Sequence, residues 1–218
     1  MPYKVDLHTH SQASPDGSLR SITYQDMLAT GGLDCIAVTD HNTITMAQQL
    51  QDELGPERII IGEEVTTLQG EVIGLYLTRV IPAHLSLVEA VARIKEQGGL
   101  VYIPHPYETI RSGIAQEALD TIASDVDIIE IFNGRAVFQN KGRLARQWAA
   151  THAIAGAASS DAHGISGWGR TYSILNEMPT RETVVELLRS ARYRQDYVGM
   201  RGVLYPKLNR LRKRETHV

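Results

Sequence analysis

The sequence predicts a single α/β domain whose parallel strands close into a small barrel. Short apolar runs, typical of strands buried on both faces of a parallel sheet, alternate with helix-like segments. About seven such runs in 218 residues favour a small barrel over an open sheet. The chain is 43% hydrophobic and 22% charged, a composition sufficient for one sizeable core.

Seven strands are predicted in chain order, and the clearest is the continuous apolar run that begins at Cys35. Cys35 is the single cysteine, so no disulfide can form within the chain, and we expect a buried, unreactive thiol. The predicted strands are Val5–His8, Cys35–Thr39, Arg58–Gly62, Glu71–Leu77, Leu100–Pro104, Asp127–Phe132 and Ile154–Ala158.

Helices are predicted between these strands. Ser86 followed three residues later by Glu89 is typical of a capping box, which marks the start of a helix. After Thr180, apolar residues recur from Val184 at the i, i+3, i+4, i+7 spacing of an amphipathic helix. The stretch Ala136–His152 is also helix-like.

Charge is divided unevenly along the chain. The net charge is −3, but residues 192–218 carry eight Lys or Arg and only two Asp or Glu. We therefore divide the chain into a barrel over residues 1–191 and a basic C-terminal extension over residues 192–218. Such an extension contacts a polyanion, stays solvated, or docks onto the barrel through Tyr205, Pro206 and Leu208.

Membrane association is not indicated by the sequence. No apolar stretch approaches the 18 residues or so that a membrane-spanning helix needs. The first residues lack the apolar region of a signal peptide, and we expect a cytoplasmic location. No obligate protein partner is indicated.

Acidic or imidazole side chains lie beside the ends of predicted strands. They occur in Asp6–His10, Thr39–Asn42, Gly62–Glu64 and Ser160–His163, and His105 follows a further strand. In parallel barrels the C-terminal ends of the strands meet at one rim, where the chemistry takes place. Because imidazole and carboxylate ligands suit Zn²⁺, Fe²⁺ or Mn²⁺, we predict a metal cluster at this rim.

Spacing within these segments refines the prediction. His8 and His10 are two residues apart, so on a strand both point to the same face. Glu63 and Glu64 are adjacent and point to opposite faces, so only one of them can face a cluster. Three histidines lack such acidic partners and are predicted to be structural or surface residues: His84, His152 and His217.

The segments occur in an order and at spacings that resemble the polymerase and histidinol phosphatase (PHP) family of metal-dependent phosphoesterases. The resemblance runs from about residue 3 to residue 175. Within it, the segment Glu130–Arg135 is most similar to small stand-alone members. The resemblance implies a distorted, TIM-like (β/α)7 barrel of seven strands. It also implies an active site with two or three divalent transition metals, Mn²⁺, Zn²⁺ or Fe²⁺.

The resemblance further implies nine metal ligands. They are His8, His10, Asp16, His41, Glu64, His105, Asn133, Asp161 and His163. By this analogy the first metal would be held by His8, His10, Glu64 and Asp161. Glu64 would bridge to a second metal, held also by His105 and Asn133. The third would be held by Asp16, His41 and His163.

Three arginines near the ligand segments are candidates for catalytic contacts with phosphate. Arg111, Arg135 and Arg170 could each bind phosphate oxygens through two guanidinium nitrogens, or could instead form surface ion pairs. Tyr107, after His105 and Pro106, either lines the pocket or packs against the core.

The resemblance implies an enzyme, a metal-dependent phosphoric ester hydrolase in which a metal-bridging hydroxide attacks phosphorus. The leading interpretation of the substrate is a nucleotide or a short oligonucleotide, as for a phosphatase or an exonuclease. Two alternatives remain open. One is a phosphatase for a non-nucleotide metabolite such as a sugar phosphate or histidinol phosphate, and the other is a non-catalytic regulatory module that binds metal.

Overall fold

The strands form one curved sheet in a computed structural model that describes residues 2–215. In chain order the strands are β1 (Tyr3–Asp6), β2 (Cys35–Val38), β3 (Ile59–Thr67), β4 (Gly70–Leu75), β5 (Leu100–Ile103), β6 (Ile128–Asn133), β7 (Ala155–Ser159), β8 (Tyr172–Leu175) and β9 (Arg192–Arg194). Each of the first seven overlaps a predicted strand, but the bounds differ: β1 ends two residues earlier than predicted and β3 ends five residues later. The predicted count of seven is wrong, because β8 and β9, of four and three residues, were not among the predicted strands.

The sheet curls into a nearly closed barrel. Its strand order is β7-β6-β5-β4-β3-β2-β1-β8-β9. Side-chain hydrogen bonds join the two strands that would complete the circle, β7 and β8. The backbone N–H of Ala158 donates to Ser173 Oγ at 3.0 Å, and that hydroxyl donates back to the Ala158 carbonyl at 3.1 Å.

The expectation of an all-parallel sheet is also corrected, because the barrel is mixed. Strand β4 runs antiparallel to both β3 and β5, and β8 runs antiparallel to β1 and β9. Only two residues, Leu68 and Gln69, separate β3 from β4. A connection this short makes a hairpin, since a parallel pair needs a crossover of a dozen residues or more.

Helices cover the outside of the sheet. They are α1 (Ser21–Ala29), α2 (Thr45–Leu54), α3 (Leu87–Glu96), α4 (Gln116–Thr121), α5 (Gly142–His152), α6 (Val184–Arg189) and α7 (Met200–Glu215), with a short 3₁₀ helix at Ala123–Asp125. The predicted capping box is confirmed at the start of α3. Helix α5 begins six residues later than predicted, where Asn140 Oδ1 accepts from the Gly142 N–H at 3.0 Å.

The barrel interior is filled with side chains, so it is a core and not a channel. Val5, Ala37, Ile60 and Tyr102 belong to one buried cluster inside it. Cys35 is fully buried in the same cluster, as expected. Because the interior is packed, the chemistry is confined to the rim.

Residues 192–215 continue the fold. Strand β9 extends the sheet through β8, and α7 lies beside the loops after β1 and β7, which it contacts through Asn209. The predicted boundary between residues 191 and 192 thus falls between α6 and β9. Within residues 2–215, no helix is both long enough and apolar enough to cross a membrane.

Candidate metal centre

Six of the nine implied ligands line one cavity at the end of the barrel, with a volume of about 550 Å³. These six are Asp16, His41, Glu64, His105, Asp161 and His163. The rings of His8 and His10 lie beneath them and are fully buried. Asn133 is buried at the end of β6. The cavity therefore has a floor of imidazoles and carboxylates.

His8 and His10 meet at the centre of this floor. Strand β1 ends at Asp6, two residues earlier than His8, and the chain continues extended because Thr9 bridges to Ala162. The two Nε2 atoms are 3.0 Å apart. Glu64 Oε2 lies 3.3 Å from His8 Nε2 and 3.1 Å from His10 Nε2. Asp161 Oδ1 lies 3.6 and 3.4 Å from the same two atoms.

Glu64 faces this group and Glu63 faces away from it. The expectation that Glu64 follows the end of a strand is wrong, because β3 continues to Thr67 through its hairpin with β4. Adjacent residues on a strand point to opposite faces. Glu63 accordingly accepts a hydrogen bond from the Ile81 N–H at 2.8 Å on the other side of the sheet.

A second group forms around the other oxygen of Glu64. His105 Nε2 lies 3.0 Å from Glu64 Oε1. Together His8, Glu64 and His105 offer three atoms close enough to bind one ion. Asn133 Oδ1 instead accepts from Arg111 Nη1 and from the Arg135 N–H, both at 2.8 Å.

A third group lies nearer the cavity mouth. His10, Asp16, His41 and His163 offer four atoms within 4.8 Å of one another. His163 Nε2 is 3.4 Å from Asp16 Oδ1, and His41 Nε2 is 3.6 Å from Asp16 Oδ2. The structure therefore brings together the members of the third implied set.

Hydrogen bonds around the site orient the rings for ligation. His8 Nδ1 faces Glu130 Oε1 at 3.2 Å, and a carboxylate only accepts, so Nδ1 donates and Nε2 points to the other ligands. His163 Nδ1 lies 3.0 Å from the Asp161 carbonyl oxygen and 3.2 Å from Arg135 Nη1, and its Nε2 faces Asp16. Converging nitrogen and carboxylate lone pairs repel unless a cation lies between them. The residues present thus fit divalent metal ions.

The carboxylates in the floor are held ionised. Burial alone would raise the pKa of Glu64, but His8 and His41 lower it well below its ordinary value. Burial likewise opposes ionisation of Asp161, and Arg135 and His8 lower its pKa well below the usual range. Both groups are therefore anionic near neutral pH, the form in which a carboxylate binds a metal ion.

Two of the three candidate arginines reach the cavity. Arg111 Nη1 donates to Asp161 Oδ2 at 2.6 Å, and Arg135 Nη1 lies 3.2 Å from the same oxygen. Both side chains line the cavity wall. Arg170 is half exposed and lies 3.7 Å from Asp196, so the structure does not bring it to the site.

Three acidic residues at the site were not predicted from the sequence. Glu108 lines the cavity and accepts from Arg111 Nη2 at 2.6 Å. Glu71 lines the cavity, 3.7 Å from His41 and 3.9 Å from His105. Because β4 is antiparallel to β3, the start of β4 and not its end lies at the rim. The two-residue gap between β3 and β4 in the sequence could have indicated this direction. Glu130 is the lone carboxylate within the apolar strand β6, a pattern that marks a buried polar partner.

Several other side chains lie outside the cavity. Tyr107 packs against the core and borders a separate groove on the outer surface. His84 and His152 are exposed, as predicted. His217 lies outside the described residues.

Part of the chain matches a known family model. A model described as PHP-associated matches residues 140–193. An uncharacterised protein of Methanocaldococcus jannaschii is 37% identical over 143 residues, which cover 60% of this chain and 81% of that protein.

Solved structures share the fold. A two-domain protein from Bacteroides vulgatus, described as containing a predicted PHP-like metal-dependent phosphoesterase, superposes with a TM-score of 0.69 at 20% identity. The match covers 96% of this chain and 70% of that one. A lesion-specific endonuclease from Pyrococcus furiosus superposes with a TM-score of 0.62 at 16% identity, over 88% of this chain and 58% of the endonuclease.

Proposed function

This chain belongs to the PHP family of metal-dependent phosphoesterases, and on that premise we propose that it hydrolyses phosphate esters of nucleotides or short oligonucleotides. The observation that carries the proposal is the floor of the cavity. Three overlapping groups of imidazole and carboxylate atoms converge there, each close enough to bind one ion. When bound, divalent ions activate water for attack and neutralise charge on phosphate oxygens.

The residues around the floor each have a proposed task. Glu64, His8, His10, His105 and Asp161 would hold the ions nearest the centre, and the third group would hold another. Glu130 keeps His8 in the tautomer that binds metal, because it accepts the Nδ1 proton. Asn133 positions Arg111 and need not itself bind metal.

Arg111 and Arg135 would bind the phosphate. Their guanidinium groups line the cavity wall directly beside Asp161. An ester entering the cavity would therefore meet cations on two sides, the ions of the floor and the arginines of the wall. Positive charge so placed stabilises the transition state of phosphoryl transfer.

Support for a nucleotide comes from the rim of the cavity. Phe138 and Ile110 both line the cavity, yet their side chains are 65% and 71% exposed. An exposed aromatic ring beside a phosphate site is suited to stacking on a nucleobase. Lys207 of α7, also on the cavity lining, offers a cation to a neighbouring phosphate of an oligonucleotide.

Metal dependence tests the activity itself. We expect protein stripped with a chelator to lose hydrolysis of nucleotides and short oligonucleotides, and Mn²⁺ to be among the ions that restore it. The measurement is phosphate release and product analysis, with elemental analysis of the same samples. Full activity without metal would refute the proposal, and bound metal without hydrolysis of any phosphoester would favour the regulatory module.

Phe138→Ala tests the class of substrate. We expect it to raise KM for a nucleotide about 10-fold, because stacking contributes about 1–3 kcal/mol per base, while KM for a sugar phosphate changes little. Val137→Ala is the matched control, since Val137 is an adjacent, partly exposed apolar residue that does not line the cavity. Better hydrolysis of sugar or histidinol phosphate by the wild type, with no effect of Phe138→Ala, would favour a metabolite phosphatase.

A further inference from the structure

Asn209 of α7 joins two loops that each carry a proposed metal ligand. Its side-chain amide nitrogen donates to the Asp16 carbonyl oxygen at 2.7 Å and to the His163 carbonyl oxygen at 3.1 Å. The residue is only 3% exposed, although most of α7 is accessible to solvent. A buried amide that uses both of its N–H groups on two such carbonyls fixes the distance between them.

The side chains of the same two residues face each other in the third ligand group. His163 Nε2 lies 3.4 Å from Asp16 Oδ1, a separation that a shared ion can span. Each side chain moves with its own backbone. A donor that holds both backbones therefore also sets the spacing of the two ligand atoms.

The next residue of α7 acts on the same carboxylate. Arg210 Nη2 donates to Asp16 Oδ2 at 2.6 Å, which leaves Oδ1 directed at His163. Ser18 Oγ adds a second link between the loops, to the His163 carbonyl at 2.8 Å. Asn209 differs from both because it alone contacts the backbone of the two ligand residues at once.

We propose that Asn209 is a positioning residue for a metal subsite formed by Asp16, His41 and His163. This inference rests on the proposed function, because it requires that the third ligand group binds an ion. It assigns to α7 a role in the metal centre that the family resemblance, which ends at about residue 175, does not include. Substitutions at Asn209 should weaken the binding of one ion and leave the affinities for the other ions unchanged.

Two variants of similar size remove the contact in different ways. Asn209→Leu removes both donors without adding charge. Asn209→Asp keeps the shape but presents a carboxylate, which cannot donate to either carbonyl. Leu208→Ala is the control, because Leu208 lies on the same helix and is 43% exposed.

The experiment is titration of Mn²⁺ into chelator-stripped protein by calorimetry, with elemental analysis after dialysis. We expect the weakest ion of the wild type to bind about 10- to 100-fold more weakly in both Asn209 variants, as for other residues that orient ligands. The remaining ions should bind within about 3-fold of the wild type, and Leu208→Ala should match the wild type throughout.

Folding is checked on the same samples by circular dichroism. Folded Asn209 variants that bind the same number of ions with unchanged affinities would overturn the inference. Loss of the fold in both variants would also overturn it, because Asn209 would then support the barrel and not one subsite. A wild-type protein that binds no ion would refute the proposed metal centre itself.

Discussion

At the scale of single residues, two adjacent glutamates show how the strand geometry separates roles. Glu64 faces the imidazoles of the cavity floor, whereas Glu63 accepts from the Ile81 N–H behind the sheet. Burial raises the pKa of Glu63 to about 7, and the hydrogen bond from the Ile81 N–H lowers it only in part. The two side chains differ in environment although they share one strand.

Glu64→Gln is expected to abolish most activity and to weaken metal binding strongly, because it removes the negative charge from a carboxylate whose Oε2 faces His8 and His10 and whose Oε1 faces His105. Glu63→Gln is the matched control and should retain the ions. Calorimetric titration of Mn²⁺ and phosphate release measure the two effects. Loss of metal in Glu63→Gln with none in Glu64→Gln would show that the wrong carboxylate has been chosen.

Cys35 is expected to be chemically silent in the folded protein. Burial raises the pKa of its thiol to about 12, so roughly one molecule in ten thousand carries the reactive thiolate at pH 8. Iodoacetamide should therefore modify the native chain negligibly at pH 8 and the urea-unfolded chain completely, as read by mass spectrometry. Rapid labelling of the native protein would place the thiol at the surface.

At the scale of elements, the capping box at the start of α3 is a local feature whose contribution to stability can be measured separately. Ser86 Oγ accepts from the Glu89 N–H at 3.3 Å, and Glu89 Oε2 accepts from the Ser86 N–H at 3.1 Å. Ser86→Ala should lower the free energy of unfolding by about 1 kcal/mol, and Ser86→Gly by only a few tenths. Urea denaturation measures both losses. Equal losses, or altered Mn²⁺ affinity, would contradict a purely local cap.

Elements with strong local patterns were predictable, and those defined by distant partners were not. The α3 cap and the first seven strands follow from short-range spacing. Strand β9 is only the three residues Arg192-Tyr193-Arg194, too few for a periodic pattern to indicate a strand, and it pairs with the edge of β8. The hairpin direction of β4 placed Glu71 at the rim, where a parallel strand would have placed its last residues.

The same distinction applies to the site. His8, His10, His41, His105 and His163 follow strands, and the structure brings all five rings to the cavity floor or wall. Arg170 is close to His163 in the sequence, yet its partner is Asp196. No local pattern indicates Asn209 or Arg210, because their contacts with Asp16 cross 193 and 194 residues.

At the scale of the whole molecule, the contacts of α7 favour a basic extension that docks onto the barrel over one that guides a polyanionic substrate to the site. Because Asn209 and Arg210 bond to the ligand-bearing loops, we expect truncation after Gly202 to impair hydrolysis of p-nitrophenyl phosphate as well as hydrolysis of an oligonucleotide. The melting temperature should fall by about 5 °C or more. Thermal denaturation and steady-state kinetics at two salt concentrations measure these effects.

A different result would restore the guiding interpretation. In that case truncation would raise KM for the oligonucleotide alone, with an unchanged melting temperature. The effect would also shrink at high salt, since screening weakens attraction between a basic segment and a polyanion.

The long reach of Asn209 also has a consequence for biosynthesis. A nascent chain that has emerged only as far as α6 already contains every proposed ligand, but not the amide that spans 193 residues back to Asp16. Contacts at such separation form late, after local structure is in place. The third ligand group would therefore be fully positioned only after α7 has been synthesised. A chain still on the ribosome would then lack a complete metal centre while it lies close to ribosomal and messenger RNA.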